Sequence, residues 1–506
     1  MRGFPPVPVL CGDYTPDTPA TDPGCQVALN VVPRTADTYS PMPSFEKSAA
    51  TPLNGTVLSA FSAVDGEGNP GMYAGTANKL YVATNASAPN FVDASAIVYS
   101  TPDGNFWSFT EEDGYTYASN GSDPIQRIQT ATETHFMPLS GAPTARIIAW
   151  VPPGFLVCGD INDPTVGIQP QGIRWSALGD GTSFPPVGST AAISAESDWQ
   201  AVAGPHGHLK AIAPGLLTCN AALFFEEAIY QMIYNGGETI FDISPVEKNR
   251  GTRASRSVVT RGQVCYYLSD EGWMRFDGTS STYIGAGRID ETFFADADPN
   301  YISMIEGQAD PLSGIIFWTY AGTGNTNGVP NRLLCYNPKF DRWSLIKGFT
   351  GGSLFLARSL GTNLDAIDAL GYNLDNLPFS LDSPILAGGR VVFGAFDSSN
   401  TLGFFSGPNM AFQVQTREVQ IVAGGHARIA EVRPIVEGDA CNIQMMTRRR
   451  LQDTPITGPL CLPGPDGFCT PRVEARYARV LLQREAGNLV KHIKGAEITY
   501  SPAGSR

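Results

Sequence analysis

The chain has few charged side chains for its size and no long uncharged apolar run. Charged residues make up 16% of its 506 residues, against about 25% in an average soluble domain. The longest apolar candidate, residues 211–225, is interrupted by Pro214 and Asn220 and is followed by Glu226 and Glu227. Because a membrane-spanning helix needs about 20 apolar residues, no span is expected.

The N-terminus also lacks the pattern of an export signal. MRGFPPVPVLCGD contains one Arg but too many prolines for the apolar part of a signal peptide. The sequence therefore predicts a protein that is made and used without Sec export.

Histidines are scarce, and the cysteines form no metal-binding motif. The sequence has five histidines and nine cysteines, with no CxxC motif and no cluster of Cys and His. His206 and His208 would lie on one side of a strand, but no third ligand at metal spacing is near. A solvated turn is the preferred interpretation of this pair, and neither a metal nor a cofactor is predicted.

The cysteines divide into two groups. Four lie in apolar, strand-like runs and are interpreted as buried small hydrophobes: Cys158, Cys219, Cys265 and Cys335. Two pairs each flank a loop rich in Pro and Gly that a disulfide would close: Cys11 with Cys25, and Cys461 with Cys469. Intracellular thiols usually stay reduced, so neither pair is expected to be oxidised, although the sequence leaves both states open.

Catalytic motifs are missing as well. There is no GxSxG elbow, no P-loop and no complete dinucleotide-binding fingerprint. STPDGNFW, residues 100–107, is faintly similar to the Asp-box of sialidases, but its Asp and Gly are adjacent rather than separated. The acidic pairs Glu111/Glu112 and Glu226/Glu227 are predicted to lie solvated in hairpin turns, whereas general acid–base catalysis needs a desolvated carboxyl group. The sequence predicts no catalytic residues and no enzyme.

What the sequence does contain is a repeated aromatic hairpin. In RLLCYNPKFDRWSLI, residues 332–346, Leu334 and Tyr336 are expected to face the same side as Trp343 and Leu345. The intervening Asn, Pro and Asp favour a turn. Related hairpins begin at residues 72, 105, 146, 222 and 264. With 54 glycines and 39 prolines, the chain favours frequent turns over long helices.

Units of this length are typical of propeller blades. Counting GIIFWTY from residue 314, the hairpins begin about 30–50 residues apart, with one wider gap that holds IRWSAL at residue 173. Four short strands per unit make one blade. Residues 53–410 accommodate about six to eight blades. A pair of β-sandwiches, with a strand about every 8–12 residues, is the alternative architecture. The predicted fold class is all-β: a β-propeller with a small C-terminal β-sandwich-like platform domain.

Composition divides the chain into three parts. Residues 1–52, poor in charge and rich in proline, are predicted to be an extended N-terminal arm, followed by the propeller (53–410) and the C-terminal domain (411–506). The last part has 13 basic and 9 acidic residues, a balance of +4, whereas the rest has 21 basic and 39 acidic, a balance of −18. The split predicts that the C-terminal domain docks against an acidic surface.

Five arginines are candidate residues for that assembly interface: Arg428, Arg433, Arg448, Arg449 and Arg450. Three of them form a consecutive run in an alternating strand, where charges usually lie on a solvated or subunit-facing edge. Reversing Arg448, Arg449 and Arg450 to Glu is expected to block assembly without unfolding the monomer.

Several stretches, spread over nearly the whole chain, share loose patterns with one known family. They are ALNVVPRTADTYSPMPSF (Ala28 to Phe45), GEGNPGMYAGTANKLY, IYQMIYNGGETIFDI, YYLSDEGWMRFDGTSSTYIG, RLLCYNPKFDRWSLI, FSLDSPILAGGRVVFGAFDSSNTLGFFSGPNMA (Phe379 to Ala411), RIAEVRPIVEGDA and RVEARYARVLLQREAGNLVKHIKGAEITYSPAGSR. Together they resemble the tail nozzle proteins of short-tailed bacteriophages, also called tail hub or packaged-DNA stabilisation proteins. The 506 residues leave little room for the long insertions that some nozzles carry for fibre docking or a tip gate.

The resemblance implies a structural virion protein, assembled in the host cytoplasm. It implies a ring of about six copies below the tail adaptor and the portal, with tail fibre or needle proteins as further candidate partners. Double-stranded DNA would pass through the lumen without sequence-specific binding. The acidic balance of −18 suits passage, because a non-specific binder holds DNA at about 10⁻⁴–10⁻⁶ M and would slow it. The alternative function is a glycan- or receptor-binding, or glycan-degrading, propeller at the tail tip.

Overall fold

The computed structural model describes residues 6–48, 50–83, 90–112, 114–237, 239–358 and 391–504. Within these residues the chain forms a seven-bladed β-propeller joined to a two-sheet sandwich. The predicted all-β propeller is therefore confirmed, and seven blades fall within the predicted range. Residues 379–390 of the stretch Phe379–Ala411, which carries part of the family resemblance, lie outside the described residues.

Each blade is a four-stranded antiparallel sheet, and the first strands of successive blades contact one another around the ring. Blade 1 comprises Ser59–Val64, Pro70–Gly75, Leu80–Ala83 and Phe91–Asp93. Blade 2 comprises Ser108–Glu112, Tyr115–Ser119, Gln126–Gln129 and Met137–Pro138. Blade 3 comprises Thr144–Val151, Phe155–Asp163, Gly167–Trp175 and Trp199–Ala201. Blades 4 and 5 comprise Leu209–Pro214, Ala221–Phe225, Ala228–Tyr234, Phe241–Lys248; and Val259–Arg261, Val264–Ser269, Gly272–Phe276, Ser281–Tyr283. Blades 6 and 7 comprise Glu306–Ala309, Ile316–Tyr320, Arg332–Asn337, Arg342–Lys347; and Gly351–Arg358, Val391–Asp397, Leu402–Asn409, Pro43–Lys47.

The ring closes through a strand from the N-terminal segment. Pro43–Lys47 is the outer strand of blade 7, with Lys47 paired to Gly403 and Phe45 to Phe405. The ring of Phe45 packs against those of Phe349 and Phe405, at centroid distances of 4.8 and 5.4 Å. Without this strand, blade 7 would expose an unpaired sheet edge and an apolar face. The closure therefore depends on pairing between residues that are far apart in sequence.

The C-terminal domain is a sandwich of two sheets. The first sheet, called here the platform sheet, consists of Val7–Leu10, Val31–Pro33, Tyr39–Pro41, His426–Glu437, Val473–Ala475 and His492–Gly504. The second contains Phe412–Gln415, Val419–Gln420, Asn442–Arg448, Ile456–Cys461 and Tyr477–Arg484. Side chains from both sheets, including Ile429, Val432, Ile443 and Leu482, share one buried cluster. Strand Tyr477–Arg484 alternates buried and half-buried residues, as expected for a strand with one face in a core.

The second sheet of the sandwich is continuous with blade 6. Ala28–Leu29 pairs with both Arg342–Lys347, the outer strand of blade 6, and Phe412–Gln415. The result is one ten-stranded sheet that joins the propeller to the sandwich. The segment predicted as an extended arm thus supplies strands to blade 7, to this joint and to the platform sheet. Strand pairing therefore crosses both of the domain boundaries predicted from the sequence, near residues 52 and 410.

The hairpin of blade 6 has the side-chain alternation that its sequence predicts. Leu334, Tyr336 and Trp343 belong to one buried cluster, which Leu345 contacts. Residues with the opposite parity, Leu333, Cys335 and Ile346, belong to another. Alternation of this kind buries both faces of the blade, as its stacking between two neighbouring blades requires.

The structure agrees with the expected state of the cysteines except at one pair, Cys461 and Cys469, which was expected to be reduced. Seven cysteines are free and buried, among them the four interpreted as small hydrophobes. Of the two candidate pairs, Cys461 and Cys469 form a disulfide that closes a loop, with a sequence separation of 8, whereas Cys11 and Cys25 are reduced.

The helical segments are short. They are the α-helices Thr190–Ser194 and Asp290–Asp296 and the 3-10 turns Ser255–Ser257 and Pro299–Met304. No helix in the part of the chain that the structure describes is long and apolar enough to cross a membrane.

Asp290, at the start of its helix, is a buried carboxylate with an unusual pKa. Its Oδ1 accepts a hydrogen bond from the Trp273 N–H at 3.2 Å, and its Oδ2 is buried without a partner. Burial, which the Trp273 N–H offsets only in part, raises its pKa to about 6. In the unfolded chain the pKa of this carboxyl group is about 3.9. Protonation of Asp290 therefore favours the folded state. This contribution to stability is complete below about pH 4 and is lost as the pH rises through about 6.

Replacing Asp290 by Asn is therefore expected to stabilise the protein at pH 7.5, by up to about 3 kcal/mol, because the amide carries no charge. The gain should shrink at pH 4.5. Chemical unfolding at the two pH values measures the difference. Asp270→Asn, at an exposed carboxylate paired with the exposed Arg253, is the control and should change little. A destabilisation by Asp290→Asn that is larger at pH 7.5 than at pH 4.5 would contradict the assignment.

Candidate axial cavity and assembly surface

Residues from all seven blades surround an axial cavity, close to where the first strands of the blades begin. Its volume is about 230 Å³. Among the described residues, each first strand pairs on one edge, with the second strand of its blade. Its other edge therefore turns backbone N–H and C=O groups towards the axis. The lining therefore combines hydrogen-bond donors and acceptors with the side chains that project from these strands.

A second cavity of about 340 Å³ lies beside the first. It is bounded by blades 6 and 7 and by the segment that precedes blade 1, with residues 56–58, 327–330 and 351–353 in its walls. Arg256 and Glu306 line both cavities. This pair therefore lies at the wall between them.

Arg256 and Glu306 form an ion pair at the point where the ring closes. The Nη1 atom of Arg256 is 3.0 Å from Oε1 of Glu306 and donates to the Leu58 carbonyl at 2.8 Å. The guanidinium lies 5.1 Å from the ring centroid of Phe106. Burial raises the pKa of Glu306, and the charge of Arg256 offsets part of that rise. The pair connects blades 5 and 6 with the segment that enters blade 1.

A β-bulge in blade 7 completes the surroundings of Glu306. The pairing register of Gly351–Arg358 shifts between Gly352 and Phe355, and Ser353 has a φ of 52°. Backbone N–H groups of Ser353 and Leu354 hydrogen-bond the carboxylate of Glu306, and the Ser353 hydroxyl donates to the Val57 carbonyl at 3.0 Å. Bulges of this kind redirect backbone groups at functional or structurally critical positions. Here the bulge ties blade 7 to blade 6 and to the start of blade 1.

The five candidate arginines do not form one cluster. Arg428 and Arg433 lie exposed on the platform sheet, and in the register of that sheet they oppose Glu474 and Glu497. Cross-strand neighbours of opposite charge partly neutralise one another. Arg449 and Arg450 are exposed in the turn after Asn442–Arg448, which belongs to the other sheet.

Arg448 differs from the other four because it is held inside its own subunit. Its Nε lies 2.9 and 3.1 Å from the two carboxylate oxygens of Glu418, and its Nη2 also contacts that carboxylate. The Glu418 side chain is fully buried. Reversing Arg448 would leave this carboxylate without its partner, so the triple reversal would test folding as well as docking.

The sequence analysis missed the apolar surface to which Arg449 and Arg450 belong. We call residues 449–462 the edge hairpin: a turn followed by Ile456–Cys461, the last strand of the ten-stranded sheet. Within the part of the chain that the structure describes, this strand pairs only with Asn442–Arg448. Its exposed large apolar side chains, with their exposed fractions, are Leu451 (44%), Ile456 (72%), Leu460 (50%) and Leu462 (57%). An apolar strand with one free edge is a ready contact surface for another chain. The apolar run ITGPLCL is the sequence signal that could have indicated this surface.

The histidine interpretation needs a correction. His206 is buried, packs 4.4 Å from the ring of Phe225, and its Nε2 lies 3.0 Å from the Val202 carbonyl. Burial lowers the pKa of this imidazole. A solvated turn is therefore wrong for His206, because the aromatic residues of blade 4 enclose it. His208 is more exposed, 3.7 Å from Asp160.

The acidic pairs are not simply solvated either. Glu111 accepts the Val64 N–H of blade 1 at 3.1 Å, and Glu226 pairs with Lys210 at 2.8 Å. Glu112 accepts hydrogen bonds from the Tyr117 hydroxyl and the Gly181 N–H. These carboxylates connect strands and blades. Among the described residues, no group of three or more His, Cys, Asp or Glu side chains is arranged to hold a metal ion.

Comparisons with known proteins add little to this picture. No protein-family model and no curated protein matches the chain. The β-propeller domain of Cps50 (Swd1) from Myceliophteria thermophila is 7% identical, with a TM-score of 0.39, over 63% of this chain and 97% of that domain. A fungal alcohol oxidase of the AA5 family, in complex with copper, is 8% identical, with a TM-score of 0.40, over 90% of this chain and 99% of that one. YCF48 bound to a D1 peptide is 11% identical, with a TM-score of 0.33, over 71% and 97%. Similarities this weak carry no argument about function.

Proposed function

We propose that the protein is a structural subunit of a short bacteriophage tail. In this proposal it is a tail nozzle, or tail hub, protein that assembles into a ring, retains packaged DNA and lets it pass during ejection. The edge hairpin supports the proposal most directly, because an exposed apolar strand with a free edge suits contact with a neighbouring copy. The resemblance of several stretches to tail nozzle proteins supplies the identity of the assembly. In this proposal the protein has a structural role and no enzymatic activity.

The rigidity of the subunit also supports this role. A ten-stranded sheet links the propeller to the sandwich, and the N-terminal segment contributes strands to both. Backbone hydrogen bonds across the joint resist relative movement of the two parts, whereas a flexible linker would permit it. Such a subunit can transmit force at the mouth of a pressurised channel.

The proposed DNA conduit lies between subunits and not along the axis of one propeller. A cavity of about 230 Å³ is far too small for a DNA duplex. The lumen would be lined by acidic propellers, since the chain outside residues 411–506 has a balance of −18. Like charges discourage binding of phosphates within a Debye length of about 10 Å at 0.1 M salt. The proposed partners are a tail adaptor, and through it the portal, with fibre or needle proteins as further candidates.

Immunogold electron microscopy of phage particles tests the proposed location. Antibody raised against the recombinant chain should label the distal end of a short tail. Particles without label would show that the chain is not an exposed component of the tail, and the nozzle proposal would then be withdrawn.

The double variant Arg449→Glu/Arg450→Glu is expected to prevent ring assembly while the monomer stays folded. Both side chains are exposed at the start of the edge hairpin, and the change replaces two positive charges with negative ones opposite the acidic surface proposed for the neighbouring copy. Mass photometry measures the oligomer, and circular dichroism measures the fold. The effect should weaken as salt is raised, because exposed charges are screened.

The control for this variant is Lys248→Glu/Arg261→Glu, which makes the same charge change at exposed positions of blades 4 and 5. It should assemble like the unmodified chain. Equal loss of assembly in both variants would assign the effect to total charge, and normal assembly of both would remove Arg449 and Arg450 from the interface.

A further inference from the structure

The axial cavity combines aromatic surfaces with polar groups. The rings of Phe61 and Phe109 lie nearly parallel, with a centroid distance of 5.8 Å and an angle of 4° between their planes, and both residues line the cavity. Phe106 lines it beside Arg256. Pockets that bind small molecules combine apolar and aromatic walls with a few placed polar groups, and in this cavity the polar part of the exposed lining is the larger.

Polar groups line the walls, and some of them are incompletely paired. Ser59 and Ser255 are buried, with exposed fractions of 5% and 7%, and line the cavity. Among the described residues, the Nε of Arg256 is buried without a hydrogen-bond partner. Within the described ranges, the hydrogen bond of the Gln308 amide is a long one, 3.4 Å from Nε2 to the Ala309 carbonyl. Unpaired buried polar groups are costly, so a bound hydroxylated molecule would be favoured by pairing with them.

The charges in the walls are already balanced. Arg256 is paired with Glu306 at 3.0 Å, and Lys210 is paired with Glu226 at 2.8 Å. A charged ligand would have to compete with these pairs, whereas an uncharged one would not. The remaining capacity consists of hydroxyl, amide and backbone groups that both donate and accept hydrogen bonds.

The volume of about 230 Å³ lies below the range of about 300–1,000 Å³ found for typical ligand pockets, so the ligand must be small. Sugars carry hydroxyls that both donate and accept, and their apolar C–H faces pack on aromatic rings. We propose that the axial cavity binds a neutral mono- or disaccharide, held against Phe61 and Phe109 and hydrogen-bonded by Ser59, Ser255 and Gln308. This inference does not depend on the nozzle proposal.

Saturation-transfer NMR with the full-length protein tests the site. The probes are glucose, galactose, mannose, N-acetylglucosamine, maltose and lactose, with glucuronate and glucosamine as charged comparisons. At least one neutral sugar should bind saturably and more tightly than either charged sugar. Gln308→Ala removes a polar wall group and Phe61→Leu removes an aromatic ring but keeps an apolar side chain, so each should weaken binding about tenfold or more.

Gln200→Ala, on the outer strand of blade 3, is the matched control and should bind like the unmodified chain. Thermal melting of every variant separates loss of binding from loss of fold. Failure of all neutral probes to bind, tighter binding of a charged sugar, or equal binding by folded Gln308→Ala and Phe61→Leu would overturn the proposal. Ring assembly should be the same in Gln308→Ala, so failure of the sugar site and failure of the nozzle proposal are distinguishable.

Discussion

Replacing Arg342 by Met is expected to lower the free energy of unfolding by about 3–5 kcal/mol, because it leaves three backbone carbonyls without the buried, charged donor that they share. Arg342 is 1% exposed, on the outer strand of blade 6. Its Nη1 donates to the carbonyls of Thr35 and Thr38 at 2.9 and 3.3 Å, and its Nη2 donates to that of Gly12. Its Nε lies 2.8 Å from Oδ1 of Asp13. One side chain therefore attaches two parts of the N-terminal segment to the propeller.

Denaturant unfolding and limited proteolysis measure the effect together. The Met variant should unfold at a lower denaturant concentration and should be cut first within residues 12–38. Lys at position 342 keeps the charge but lacks the planar fork that reaches several carbonyls, so it should rescue only part of the loss. Arg253→Met removes an exposed pair with Asp270 and should cost no more than about 1 kcal/mol. Unchanged stability of Arg342→Met would show that the N-terminal segment is held by its strand pairing alone.

Replacing Trp343 by Ala is expected to cost about 3–5 kcal/mol, the range for removing a large aromatic side chain from a core. Trp343 is fully buried, with its ring centroid 6.2 Å from that of Trp273 and 6.0 Å from that of Trp318. Its indole N–H donates to the Ile284 carbonyl at 3.1 Å. The cluster lies where blades 5 and 6 meet, so the cavity would form inside the propeller.

The unfolding midpoint of Trp343→Ala, compared with that of Trp343→Phe, checks this prediction. Phe fills most of the space but leaves the Ile284 carbonyl without its donor, so it should cost about 1–3 kcal/mol. If Trp343→Ala left the free energy of unfolding almost unchanged, the indole would contribute little to the packing of the core, and the prediction would be wrong.

Local sequence patterns predicted the hairpins correctly because their information is local. In Arg332–Asn337 and Arg342–Lys347, the period of two and the turn residues between them determine which side chains share a face. The same reasoning assigned burial to Cys158, Cys265 and Cys335, which lie in apolar strands. It also indicated blades without indicating which strand closes the ring.

The candidate site was harder to predict, since it depends on what the fold brings together. Nothing local marks Arg256 and Glu306 as partners, and nothing local separates Arg448 from Arg449 and Arg450. Arg448 became an internal residue because the sheet places Glu418 against it. His206 was assigned to solvent because its neighbours in sequence are Gly and Pro, whereas the residues that cover it, Phe225 and Tyr230, come from later strands.

The sequence by itself determined the all-β class, the repeated hairpin unit, the faces of its strands and the acidic balance of the propeller part. Each follows from composition or from residues within a few positions of one another. Only the tertiary structure decided that Pro43–Lys47 closes blade 7, that Ala28–Leu29 joins the two parts, and that the edge hairpin is exposed. The physical reason is that strand pairing joins backbone groups without regard to side-chain identity, so partners hundreds of residues apart leave no mark in the local pattern.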